Sequence, residues 1–191
     1  NLTNSIGQPL PNIEVSIRNP KTNKILKVGE IGEICSRGYN TMLEYHQNPE
    51  ASKETIDSDN WLHTGDLGVM DSQGYVRISG RVKEMIIRGG ENIYPKEIEN
   101  ILLEHEAISE VAIVGIPDKK YGEIVGCFIK FEEKQVLKSA ELKDFIRQKI
   151  SPQKTPAFWV EIDEWPLTGS GKIKKFSLRE KFESGTFLPL E

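Results

Sequence analysis

"GRVKEMIIRGGENIYP", residues 80–95, divides the chain into two parts of different character. Within it, Met85–Ile87 is a short apolar strand and Pro95 opens a helix, while the pair Gly89 and Gly90 permits backbone conformations closed to other residues. That helix, "YPKEIENILLEH", carries Glu97 and Glu99 near its positive N-terminal end, and Ile98, Ile101, Leu102 and His105 share one face. Further on, Val111–Ile116 and Ile124–Phe131 are predicted strands separated by the turn "PDKKYGE". Ser139 is the expected cap of a second helix, striped by Leu142, Phe145, Ile146 and Ile150. "FWVEI" gives another strand, followed by the Gly-rich loop "PLTGSGK" and a basic tail predicted to be helical.

Upstream, residues 1–80 read as strands and turns. Ile13, Val15 and Ile17 alternate with polar residues, and "EIGEICSRG" carries Ile31, Ile34 and Cys35 before a Gly turn. "MDSQGYVRISG" is a hairpin signal, with Ser72-Gln73-Gly74 between Leu67–Met70 and Tyr75–Ser79. Only "NPEASKETI", residues 48–56, suggests a helix, with Asn48 as cap and Pro49 at its first position. The expected fold class is α+β: a β-rich part over 1–80 and an α+β domain over 81–191, joined near 80–83.

The chain has 191 residues, 37% hydrophobic and 28% charged, with a formal net charge of −4. That suits one medium domain or two small ones, and a mildly acidic balance argues against bulk attraction to nucleic acid or anionic membrane. No run approaches the roughly 18 apolar residues of a membrane span, and the start "NLTNSIGQPLPN" lacks signal-peptide character, so a cytoplasmic location is expected. Cys35 and Cys127 lie far apart without metal-type spacing and read as buried free thiols. Position 1 is not Met and turn-rich sequence follows at once, which suggests a piece of something larger.

Several motifs admit two readings. In "NWLHTGDLGVM", residues 60–70, Gly65 and Asp66 either close a turn or hold a carboxylate toward a ligand. "TGSGK", residues 168–172, fails as a phosphate loop, because Pro166 stands where the first Gly belongs and Ile173 where the hydroxyl belongs. What survives is a Gly-rich loop presenting Lys172, either as a solvated surface residue or as a point charge reaching for an anion. Arg81, Lys83 and Arg88 around the Gly pair are either idle surface cations or part of a ligand cradle. The tail 172–181 holds five cations against Glu180, without the interleaved aromatics that nucleic-acid stacking needs, and reads as a solvated helix face. His63 and His105 have no partner at ligand or triad spacing, one in a loop and the other at a helix end.

Taken together, "WLHTGDLGVMDSQGYVRISGRVKEMIIRGGENIYPKEIE", "VGIPDKKYGE" and "PLTGSGKIKKFSLRE", in this order and spacing, resemble the C-terminal part of the adenylate-forming (ANL) superfamily. This superfamily includes acyl-CoA synthetases, peptide-synthetase adenylation domains and beetle luciferases. "IIRGGENIYP" and "GKIKKFSLRE" look most like the medium- and long-chain fatty acyl-CoA synthetases. The resemblance covers essentially the whole chain. It implies the end of a β-barrel subdomain followed by a small, mobile α+β domain with a short sheet flanked by helices.

By the same resemblance, Asp66 matches the aspartate that holds both ribose hydroxyls of ATP, and Arg81 an arginine that also contacts the ribose. Lys83 falls at the hinge about which the C-terminal domain rotates, near 81–83. Gly89 and Gly90 match the loop lining the pantetheine channel, and Lys172 the lysine bridging the acid carboxylate and the α-phosphate. The implied substrates are a carboxylic acid, ATP with Mg2+, and CoA, with no metal ligand and no tightly bound cofactor expected in these residues. The family's phosphate loop, its magnesium-binding Glu segment and its acyl pocket belong upstream, so this chain alone is expected to be inactive and to need the N-terminal portion of the same protein. "SPQKTPAFW" departs from the family pattern on either side of Lys154. Two alternatives stand beside this reading: an adenylation domain loading a carrier protein, and a stand-alone interaction module.

Overall fold

Alternating apolar residues build the first sheet. In the computed structural model, which describes residues 5–133 and 135–190, β1 (Ile13–Arg18), β2 (Gly32–Gly38), β3 (Leu62–Met70) and β4 (Val76–Arg81) pair antiparallel in chain order. Ile17, Ile34 and Val76 are buried between them, with Val15, Leu26 and Met70 packed alongside. Helix α1 (Pro49–Thr55) starts as its sequence requires: Asn48 Oδ1 accepts the Ala51 N–H at 3.1 Å and Pro49 fills the first turn. The β3–β4 hairpin closes on Asp71, whose Oδ1 accepts the N–H groups of Gln73 and Tyr75. These four strands form an open meander, and no barrel closes among the described residues.

The chain divides into two compact units, Asn1–Lys83 and Glu84–Glu191, and a single 3-10 turn, Val82–Glu84, spans the division. The second unit has β5 (Ile86–Arg88), β6 (Glu91–Ile93), α2 (Pro95–Leu102), β7 (Ile108–Asp118), β8 (Gly122–Phe131), α3 (Ser139–Arg147), β9 (Phe158–Glu161) and α4 (Lys175–Glu183). β8 is the hub of its sheet. It pairs along its length with β7, and on its other edge with β5 at Gly122 and, in parallel, with β9 from Gly126 to Ile129.

β7 and β8 are near-continuous apolar runs, and because successive side chains point to opposite sides, both faces of this sheet are apolar. Val111, Ile113, Val125, Cys127 and Ile129 turn to one side, where Ile98 and Leu102 of α2 and Leu142 and Ile146 of α3 cover them. Ala112, Val114, Ile116 and Phe128 turn to the other, under Leu178 of α4. Helices therefore cover both sides of one sheet, as two-faced strands require. No helix among the described residues is long and apolar enough to cross a membrane.

Three local expectations are corrected. Ser139 is the first residue of α3 and not its cap; Lys138 takes the cap position, its N–H donating to Glu141 Oε2 at 2.8 Å. Helix α2 ends at Leu102, and His105 lies beyond it, where Nδ1 accepts the Ala107 N–H at 3.1 Å and steers the chain into β7. The Gly pair forms a tight hairpin between β5 and β6, a strand the periodicity is too short to reveal.

Phe128 is fully buried and meets Phe158, Phe182 and Phe187 edge to face. Phe128→Ala should cost about 3–5 kcal/mol of stability, read as a fall in the urea midpoint; a loss below about 1 kcal/mol would show that the site collapses to refill the space.

Candidate active site

Thr64-Gly65-Asp66 is a bulge in a strand. On β2 and β3, Cys35 pairs with His63 and Glu33 with Leu67, so three residues of β3 stand opposite Ile34 alone. Gly65 takes φ +72, and a Cβ there would meet nothing within 4 Å, so glycine serves the backbone conformation and not a lack of space. The Thr64 hydroxyl donates to the Ile34 carbonyl at 2.7 Å and accepts the Asp66 N–H at 3.1 Å. The Gly65 N–H donates to Glu33 Oε1 at 3.0 Å. Bulges of this kind re-aim side chains out of a sheet.

On its other edge β3 pairs with β4, where Asp66 faces Arg81 across the ladder. Arg81 Nε lies 3.2 Å from Asp66 Oδ1, with side chains 47% and 35% exposed. An ion pair so open to water contributes at most about 1 kcal/mol, so both groups stay available to a ligand at little cost. They line a half-open cleft of about 360 Å³ with Glu33, Thr64, Gly65, Val82 and Lys83. Asp66, Arg81 and Lys83, all singled out in the sequence, thus share one cleft within the first unit.

The other three candidates lie in the second unit. Lys172 is exposed and closes a small loop: its N–H donates to Thr168 Oγ1 at 3.0 Å, and its carbonyl accepts the Thr168 N–H at 2.8 Å. Gly171 supplies the positive φ of +79 that this turn needs. Gly89 and Gly90 take φ +58 and +89, as a two-residue hairpin turn with both central residues left-handed demands, and the Gly89 N–H donates to the Tyr121 carbonyl at 2.8 Å. Sequence reasoning did not single out Lys175, whose Nζ lies 2.9 Å from Glu84 Oε2 and 2.8 Å from Glu99 Oε1. Glu99 Oε1 also accepts the Ile113 N–H at 3.0 Å, so α2, β7 and the start of α4 are tied together just beyond the Lys172 loop.

Residues 97–172 match the AMP-binding enzyme C-terminal domain, and residues 1–46 match the AMP-binding enzyme family. YngI of Bacillus subtilis (strain 168), whose name assigns it to the acyl-CoA synthetases, is 46% identical over 175 residues, covering 92% of this chain and 32% of the relative. The human mitochondrial medium-chain acyl-CoA ligase ACSF2 is 42% identical over 179 residues, covering 94% of this chain and 29% of that protein. The ATP-bound crystal structure of MatB from Rhodopseudomonas palustris superposes with a TM-score of 0.88 at 32% identity, over 94% of this chain and 36% of MatB. Both matched models are of AMP-binding enzymes, and the chain belongs to that family. It spans about a third of the length of the relatives it matches.

In this chain, the bulge rests on a cluster whose partners lie far apart in sequence. Glu33 is buried, and its Oε2 lies 2.8 Å from His63 Nδ1. His63 Nε2 in turn lies 3.5 Å from Asp57 Oδ2. Burial pushes the Asp57 carboxyl up, but hydrogen bonds from Trp61, Asn23, Asp59 and His63 hold it below its ordinary value. Arg18 stacks 4.1 Å over the Trp61 ring and lies 3.5 Å from Asp57. The donor atoms of Glu33, Cys35 and His63 fall within 4.8 Å of one another, a spacing that a metal ion accepts. One fact favours a hydrogen-bonded support instead: both Glu33 oxygens are already engaged, by His63 and by the Gly65 N–H. Burial pushes the Cys35 thiol beside them up to about 12.

A thiol raised from 9.0 to about 12 is protonated in the folded chain where the unfolded chain ionises. Cys35 should therefore resist a thiol reagent at pH 8 and react on denaturation. Stability should also decline as pH rises through the window from about 9 to about 12, less steeply in Cys35→Ala. Rapid labelling of the native chain at pH 8 would contradict this.

Proposed function

We propose that this chain forms the C-terminal part of an ATP-dependent, AMP-forming acyl-CoA synthetase acting on a fatty acid. In the first step a carboxylate oxygen of the acid attacks the α-phosphorus of ATP, and the bond to pyrophosphate breaks to leave acyl-AMP. In the second, the sulfur of CoA attacks the acyl carbon and the bond to AMP breaks.

The observation that carries this reading is the Asp66–Arg81 pair beside a cleft of about 360 Å³. A carboxylate only accepts hydrogen bonds, and a ribose offers two adjacent hydroxyl donors, so the chemistry of Asp66 fits the sugar. Arg81 braces that carboxylate from the neighbouring strand and adds donors of its own. Lys172, exposed on its Gly-rich loop, is assigned to the first step, where a cation between carboxylate and α-phosphate stabilises the charge that develops as pyrophosphate leaves. Lys83 is assigned to the hinge, on its position in the 3-10 turn between the two units. The Gly89–Gly90 turn is assigned to the pantetheine channel, where backbone without side chains leaves room for a thin ligand. Mg2+ would accompany the ATP phosphates and neutralise their charge. The name and 42% identity of the medium-chain ligase ACSF2 support a fatty acid as substrate, and free thiols suit a reducing compartment.

In the longer protein that contains this chain, acid-dependent ATP–pyrophosphate exchange and acyl-CoA formation should appear with medium-chain fatty acids. Lys172→Ala should lower the exchange by about 10²–10³-fold while sparing most thioester formation from supplied acyl-AMP. Equal loss of both steps would refute the assignment of Lys172. Lys83→Pro should slow thioester formation more than adenylate formation, and unchanged turnover would refute the hinge assignment.

A further inference from the structure

We infer that Glu33 is a positioning residue for nucleotide binding: its buried carboxylate sets the Thr64–Asp66 bulge so that Asp66 meets the ribose. This rests on the ribose-binding reading of Asp66 given above. Glu33 is only 7% exposed, a burial that a carboxylate tolerates when its oxygens are satisfied. One oxygen accepts the Gly65 N–H at 3.0 Å, at the apex of the bulge, and the other faces His63 Nδ1 at 2.8 Å, at its start. Because a carboxylate is acceptor-only, Nδ1 of His63 carries the hydrogen of that contact. Glu33 thus spans the bulge, and Gly65 directly precedes the residue that must be aimed.

The rest of the bulge is held on the same strand neighbour, through Thr64 Oγ1 and the Ile34 carbonyl. The Asp66 carboxylate itself has only the exposed partner Arg81 among the described residues. Its direction therefore depends on the backbone, and the backbone at Gly65 depends on Glu33. Without that acceptor, a glycine at φ +72 has no side chain to keep it in place.

A ligand-atom cycle in the longer protein separates positioning from general stability. The wild-type enzyme should use ATP better than 2′-deoxy-ATP, because the deoxy sugar offers Asp66 one donor fewer. Glu33→Ala should lower kcat/KM for ATP about tenfold, consistent with losing one hydrogen bond to a charged acceptor, and lower it far less for 2′-deoxy-ATP, so that the preference collapses. Glu33→Gln, whose amide oxygen still accepts the Gly65 N–H, should restore most of it. If Glu33→Ala does not fold, Glu33→Asp gives the same test, since it keeps the charge and shortens the reach by one methylene. Equal losses with both nucleotides, or no loss with either, overturn the positioning role of Glu33. A wild-type enzyme that makes acyl-AMP but ignores the 2′-hydroxyl overturns the ribose assignment of Asp66, and the inference falls with it.

Discussion

At its candidate site the first unit depends on one buried carboxylate accepting a glycine N–H across a strand bulge. Glu33 and Gly65 are 32 residues apart in sequence, yet 3.0 Å separates acceptor from donor. A carboxylate is costly to bury, and the cost is offset here by two hydrogen bonds, from the Gly65 N–H and from His63 Nδ1. On the other side of the same strand, the ladder with β4 fixes Asp66 opposite Arg81. One edge of β3 sets where the bulge stands, and the other sets what the bulge faces.

The second unit solves a different problem. Its Lys172 loop and its Gly89–Gly90 hairpin are both carried by a sheet apolar on both faces. β8 takes β7 on one edge and both β5 and β9 on the other, so the hairpin and the strand leading toward the Lys172 loop spring from one hub. The contacts of Lys175 with Glu84 and Glu99 then anchor the start of α4 directly after that loop. An ion pair of a half-buried lysine with a nearly buried glutamate fixes geometry more than it adds stability.

Most of the fold was legible because its signals are local. The alternation in β1, the apolar runs of β7 and β8, the stripes of α2 and α3, and the Asn48-Pro49 start of α1 each lie within one element. The local geometry of the candidate residues was legible where motifs are contiguous, as at the turn conformation of Thr64-Gly65-Asp66 and the tight loop closed by Lys172. Glu33 escaped notice and His63 reads as a partnerless loop residue, though it lies in β3 and faces Glu33, because their meaning is a long-range contact. In sequence, His63 is an isolated residue before a turn, and only the β2–β3 register reveals its partner. The signal available was a charged residue, Glu33, set between Gly32 and the apolar pair Ile34-Cys35. Ser139 misled for a physical reason as well, since the Glu141 carboxylate satisfies the Lys138 N–H and moves the cap back by one residue.

The central claim, that the bulge of β3 presents Asp66 to the sugar of a nucleotide, is tested most directly by a crystal structure of the longer protein with ATP bound. The account predicts both ribose hydroxyls within hydrogen-bond distance of the Asp66 carboxylate, with the Gly65 N–H still on Glu33. A ribose bound elsewhere, with Asp66 facing solvent or only Arg81, would contradict it.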